Sequence, residues 1–237
     1  MDGWMERRAR RTPIRVSPKP VTVAPATTRR VVYLLRFDRV QRSAHWANAV
    51  LFGSLMFTAI PLYFGSFFGV VLPRHLIEQI HLWSGLALPL PIIISLLGPW
   101  GRSMRRDVHR VNTWTHDEVR WLRTRGRSPL QADKFNPGQK LNAVFIGAVI
   151  VVMLITGSML QWFRFFSVSL RQGATFVHDV FAFVIFAVVI GHIAMAITHR
   201  DALRSIFKGW VSEQWAFTHA PRWLKETRDG ESSVESS

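Results

Sequence analysis

The chain of 237 residues contains no cysteine. That excludes disulfides, iron–sulfur clusters held by this chain, and haem attached through a C-x-x-C-H run. A metal cofactor here has to rest on other donors. Acidic side chains are also scarce: 15 Asp and Glu stand against 30 Lys and Arg, for a net charge of +15. Charge of either sign is missing altogether from four stretches, 46–73, 79–101, 141–163 and 180–199. Their lengths are 28, 23, 23 and 20 residues, and about 20 apolar residues cross a bilayer as a helix. Short internal repeats are absent too, which removes solenoid folds. No stretch reads as a separate soluble domain.

What is present fits an all-α integral membrane protein. Four transmembrane helices are expected at about 42–64, 76–100, 140–163 and 176–199, inside one membrane domain covering 36–224. The excess charge follows the loops. Eleven Lys and Arg precede His45, ten lie in 102–140 and six in 200–237. Only Arg74 lies between the first two helices, and only Arg164 and Arg171 between the last two. Positive charge collects on the cytoplasmic side of membrane proteins. Both termini and the middle loop are therefore expected in the cytoplasm, against anionic lipid headgroups. This distribution accounts for the charge without nucleic acid as a partner.

Residues 1–35, rich in Arg, Pro and Thr, and residues 225–237 read as disordered tails. Arg36, Asp38, Arg39 and Arg42 interrupt the first apolar run and no cleavage site follows, so the first helix reads as an uncleaved anchor. The segment FGSFFGVVLP after it is expected along the outer interface. Pro89 and Pro91 are expected to kink the second helix. Trp114, Val119, Trp121 and Leu122 are expected to form the apolar side of a short interfacial helix in the middle loop.

Histidines carry the chemistry. His178 and His192 are fourteen residues apart in the last apolar helix, a rise of about 21 Å that returns to nearly the same helix face. Ionisable side chains inside a membrane are costly and usually functional. Sorted by depth, His81 pairs with His178 near the outer surface, and His45 with His192 near the inner one. Bis-imidazole ligation of haem needs two opposed rings at equal depth on facing helices, and this arrangement supplies it twice. Two non-covalent haems b are expected. Gly53, Gly85, Ala182 and Gly191 would leave room for a flat macrocycle, although small residues also serve ordinary helix packing. His75, His109, His116 and His219 are expected at the surface. His199, followed by Arg200, either solvates the membrane surface or delivers protons. The residues alone leave open a haem-free transporter or scaffold in which histidines relay protons.

Six segments match a known pattern: RSAHW (Arg42 to Trp46), IHLWSG around His81, KFNPGQK (Lys134 to Lys140), FVHD at His178, GHIAMA at His192, and KGWVSEQWAFTHAPRW (Lys208 to Trp223). Over about 36–226 the chain resembles the gamma subunit of respiratory formate dehydrogenase. That family of four-helix, di-haem cytochromes b is kin to the cytochrome b subunits of nickel–iron hydrogenases in the cytochrome b561 superfamily. The resemblance implies an outer haem on His81 and His178 that receives electrons from an iron–sulfur beta subunit, itself attached to a catalytic alpha subunit. It implies an inner haem on His45 and His192, and a quinone (menaquinone or ubiquinone) bound beside it at Asn136, Gly138 and Gln139. Arg42, Lys140, His199 and Arg200 are then candidates for haem propionates or a proton path. The implied location is the bacterial cytoplasmic membrane. Helix faces left over are available to a partner's anchor helix or to another copy of the chain.

This chain would not oxidise formate by itself. Gln41 departs from the family, which commonly has an acidic residue immediately before the arginine of the first motif. Asn136 before Pro137 also fits an ordinary helix start. A hydrogenase or another molybdoenzyme is the alternative donor.

Overall fold

The computed structural model describes residues 31–65 and 73–235. The first thirty residues of the expected basic tail, and 66–72 of the expected interface segment, lie outside the described residues. Among the described residues, four helical spans are long and apolar enough to cross a membrane: Arg39–Tyr63, Arg74–Leu96, Pro137–Gln161 and Val168–Thr198. Their large apolar side chains point outward, with Phe57 78% and Phe176 70% exposed. Outward apolar surface on this scale is what lipid covers.

The order is β1 (Tyr33–Leu35), α1 (Arg39–Tyr63), α2 (Arg74–Ala87), α3 (Leu90–Leu96), α4 (Arg102–Asn112), α5 (His116–Arg123), α6 (Pro137–Gln161), α7 (Val168–Thr198), α8 (Arg200–Lys208), β2 (Trp210–Ser212), α9 (Glu213–His219) and α10 (Pro221–Glu235). Helix α1 packs chiefly on α2, and α6 on α7. The bundle is thus two helical pairs side by side.

Local chemistry sets the ends of the spans. Asp38 caps α1: its carboxylate accepts from Gln41 N at 2.9 Å, while Gln41 Oε1 accepts from Asp38 N at 2.9 Å. This capping box starts α1 three residues before the expected position. Replacing Asp38 with alanine is expected to lower stability by about 1 kcal/mol, read as a lower thermal unfolding midpoint, with Asp38→Asn close to wild type. An alanine variant that melts with wild type would refute the role. Asn136 builds the same box on α6, accepting from Gln139 N at 2.9 Å and receiving Gln139 Oε1 on its own N–H at 3.0 Å. The second span breaks between Ala87 and Leu90, where Pro89 and Pro91 withhold N–H donors. The expected kink falls here, as an interruption of the hydrogen-bond ladder within the Arg74–Leu96 span. Helix α7 begins at Val168, eight residues before the expected start, because Ser167 caps it through Leu170 N at 3.3 Å.

The basic end of the bundle, where the termini of the described chain and the 102–140 segment meet, holds structure that periodicity did not reveal. The α4 helix was not expected at all. Its Arg105 donates to the carbonyls of Leu96 and Gly98, at 2.6 and 3.0 Å, closing the end of the second span. The short helix expected around Trp114 to Leu122 is present as α5. Strands β1 and β2 pair antiparallel, Leu34 opposite Val211. Gly209 makes this pairing possible: it adopts φ +90, and a Cβ there would lie 2.7 Å from the Phe37 carbonyl. Its own carbonyl accepts from Arg36 N and Phe37 N at 2.8 and 3.0 Å. Leu34, Val211, Ala216, Ala220, Trp223 and Leu224 then form a small apolar core.

That core also corrects both expected tails, since Tyr33–Leu35 at the end of the first form β1 and Leu34 is buried. Instead of a disordered tail from 225, α10 continues as helix to Glu235. Trp223 and Leu224 anchor its first turn, and Arg228 pairs with Glu213 while Glu226 pairs with Arg110.

Candidate functional site

Two pairs of imidazoles face each other between the helical pairs. His45 on α1 faces His192 on α7, with ring centroids 6.3 Å apart and planes inclined by 50°. His81 on α2 faces His178 on α7, with centroids 6.4 Å apart and planes inclined by 61°. An iron atom about 2.0 Å from one nitrogen of each ring, with each ring centre about 1.1 Å beyond its nitrogen, sets centroids about 6.2 Å apart. Both pairs therefore suit bis-imidazole ligation of haem. No cluster of three or more His, Cys, Asp or Glu side chains suits a metal among the described residues.

The far pair is braced. Thr58 Oγ1, on α1, lies 2.8 Å from His81 Nδ1, and Thr156 Oγ1, on α6, lies 3.0 Å from His178 Nδ1. Each hydroxyl donates its own hydrogen back to its helix, to Ser54 O at 2.7 Å and to Val152 O at 2.8 Å. An oxygen that donates in this way accepts from Nδ1–H, which leaves Nε2 of each ring as the ligating nitrogen. Gly157 lets the ring approach, since a Cβ there would sit 3.3 Å from His178 Cε1. The sequence alone does not assign these second nitrogens a partner; the two threonines supply it. Of the small residues expected to leave room, Gly53 and Gly191 have nothing within 4 Å of an added Cβ, whereas Gly85 packs on Leu55.

The family follows from most of the chain. Residues 36–209 match the model of prokaryotic cytochrome b561. The chain belongs to that family. It is 26% identical over 201 residues to the formate dehydrogenase cytochrome b556 subunit of Haemophilus influenzae, covering 81% of this chain and 83% of the relative. It is 22% identical over 214 residues to the nitrate-inducible formate dehydrogenase cytochrome b556 subunit of Escherichia coli K12, covering 86% and 95%. The cytochrome b556(fdo) subunit of the same organism is 24% identical over 208 residues, covering 82% and 93%. A prokaryotic cytochrome b561 is a multi-pass membrane protein that carries b-type haem in electron transport. The imidazole pairs are where this member's own residues suit that group.

The other expected site residues sit at the basic end. Asn136, Gly138 and Gln139 are exposed at the start of α6. The capping box uses the side-chain oxygens of Asn136 and Gln139 and leaves both NH2 groups without an acceptor among the described residues. Arg42 donates to the carbonyls of Phe207 and Asp38. Lys140 is almost fully buried, with Nζ 2.7 Å from Glu118 Oε1 and donating to Thr113 O at 2.8 Å. Two of the cations expected to be available are thus already engaged by protein groups. His199 caps the end of α7, its Nδ1 2.9 Å from Met195 O, and both His199 and Arg200 are exposed. His75, His109, His116 and His219 are exposed as expected.

Gln41, the departure from the family pattern, is explained by its partners. Besides completing the Asp38 box, its Nε2 donates to Asp107 Oδ2 at 2.6 Å. Asp107 also pairs with Lys134 at 2.5 Å, and Arg110 with Asp133 at 2.5 Å. Arg36 is stacked between Phe37 and Trp215 and donates to Lys134 O. Burial lowers Arg36 to about 10 despite nearby Asp107. It also raises Asp107 and lowers Lys134, so for both partners desolvation outweighs their mutual attraction. The signs oppose each other across pH. Folded Asp107 holds its proton above the ordinary carboxylate value, so stability falls as pH rises through that interval. Folded Lys134 gives up its proton early, so stability recovers as pH rises from its lowered value toward the ordinary lysine value.

Proposed function

We propose that this chain is the membrane cytochrome b subunit of a respiratory formate dehydrogenase-type complex in the bacterial cytoplasmic membrane. It carries electrons from an iron–sulfur subunit, joined to a catalytic subunit, at the outer face to a quinone on the cytoplasmic side. The observation that carries this reading is the two imidazole pairs, at 6.3 and 6.4 Å, stacked along one helix. The names of the relatives favour formate as the ultimate donor. The concentration of Lys and Arg at the basic end favours that end as cytoplasmic, with both termini there.

Haem b, when bound, supplies reversible one-electron transfer. His81 and His178 would hold it at the outer site, and His45 and His192 at the inner. At the basic end, the Asn136 and Gln139 amides offer N–H donors to a quinone carbonyl without adding charge. Gly138 between them keeps the approach narrow in side chain: a Cβ there would come within 3.3 Å of Asn136 Oδ1. Protons for the reduced quinone come from the cytoplasm, where exposed His199 and Arg200 line the edge of α7.

Purification of the native complex tests the reading. Two b haems per chain and a co-purifying iron–sulfur subunit are expected, and a colourless chain would overturn it. The quinone role has its own test. Asn136→Asp keeps an oxygen for the helix cap but removes the NH2 donor. Quinone turnover is expected to fall at least tenfold with haem content and melting temperature unchanged. Wild-type turnover in this variant would remove Asn136 from the quinone site.

A further inference from the structure

The two helical pairs share a spaced pattern. Phe37, Asp38, Gln41, Arg42 and Thr58 recur 98 residues later as Phe135, Asn136, Gln139, Lys140 and Thr156. The structure gives matching roles to most of these positions. Both caps are reciprocal boxes, Phe37 and Phe135 touch with centroids 6.2 Å apart, and both threonines reach the Nδ1 of a histidine on the next span. Thr58 serves His81 and Thr156 serves His178, so all four spans meet at the far site. The basic-end pair differs. Neither His45 nor His192 has a side-chain hydrogen bond among the described residues.

We infer that Thr58 and Thr156 are positioning residues that lower the reduction potential of the far haem and so bias electron flow toward the basic end. The inference rests on the two-haem reading above. A hydrogen bond accepted from Nδ1–H gives the ring more imidazolate character and makes Nε2 a stronger donor. Stronger donation favours ferric over ferrous iron, which lowers the potential. Here each bond is reinforced, because the accepting hydroxyl is itself polarised by donating to a carbonyl one turn earlier. The effect falls on one site and not the other, and the site it lowers is the one that receives electrons first.

Redox titration of the purified complex tests this, with each haem assigned by its loss in His178→Ala or His192→Ala. Thr58→Val and Thr156→Val keep the side-chain shape and remove the hydroxyl. Each is expected to raise the midpoint potential of the far haem, the double variant more than either, with the other haem unmoved. Thr58→Ser and Thr156→Ser keep the hydroxyl and should stay near wild type. Loss of the far haem in the valine variants with retention in the serine variants would also support a role for the hydroxyl. Unmoved potentials in valine variants that retain both haems would overturn the inference, as would serine variants that shift or lose haem as much as valine. A wild-type chain without two haems overturns instead the reading on which it rests.

Discussion

Alanine at His178 is expected to remove one haem of two, halving the b-type absorbance in a reduced-minus-oxidised spectrum. Of the rings that would hold a haem there, only His81 would remain. Thr156 would lose its ring partner without supplying another donor to the iron, since its hydroxyl hydrogen already goes to Val152 O. His192→Ala is expected to remove the other haem, and the double variant both. The pairing makes a sharper claim than the count. His81→Ala should erase the same spectral component as His178→Ala, and His45→Ala the same as His192→Ala. If His45→Ala and His81→Ala erased one component between them, the facing rings at 6.3 and 6.4 Å would have been misassigned.

Much of this site was legible in the sequence because hydrocarbon simplifies the reading. Few residue types are tolerated inside a membrane, so a histidine there is conspicuous, and its depth follows from a fixed rise per residue. His81, His178, His45 and His192 were paired on that basis, and the structure brings those partners together. Threonine is different. Its hydroxyl can bond to its own helix, so Thr58 and Thr156 pass for ordinary span residues. The signal that marks them was long-range: the same six-residue opening, F-[DN]-x-x-Q-[RK], and the same distance onward to threonine in both halves. A search for short repeats misses a pattern with a 98-residue period.

The basic end was the least legible part. Its strands are three residues each, too short for alternation to show, and nothing local in the sequence marks Arg36, Asp107, Lys134 and Glu118 as the charges that the fold buries. Helix α10 escaped for a related reason. Its sequence from 225 is polar apart from Gly230 and Val234, and this stretch follows directly on Trp223 and Leu224, which anchor the helix.

Lys140→Met is expected to destabilise the protein by about 3–5 kcal/mol, because it strands Glu118 as a buried, unpaired carboxylate. Glu118 and Lys140 side chains are only 2% and 3% exposed. Glu118 also closes the capping box of α5 by accepting from Thr115 N at 2.9 Å, so the pair fastens α5 to the first turn of α6. Removing both charges together, as Glu118→Leu with Lys140→Met, avoids the stranded ion and is expected to recover much of the loss. Thermal unfolding followed by haem absorbance would read both effects. A single variant within about 1 kcal/mol of wild type would place the pair with weak surface bridges instead. Since α6 opens with Asn136 and Gln139, the same variants are expected to raise the quinone KM more than they lower kcat.

One helix supplies a ring to each imidazole pair. Helix α7 runs unbroken for 31 residues, and only its own hydrogen-bond ladder fixes how far His178 stands from His192. It acts as a ruler. Lipid-facing side chains along the interval, such as Ile190, can vary in size, but its length cannot. One residue inserted between the two histidines would swing one ring by about 100° relative to the other. Natural variation between these positions should therefore be rich in substitutions and empty of insertions and deletions.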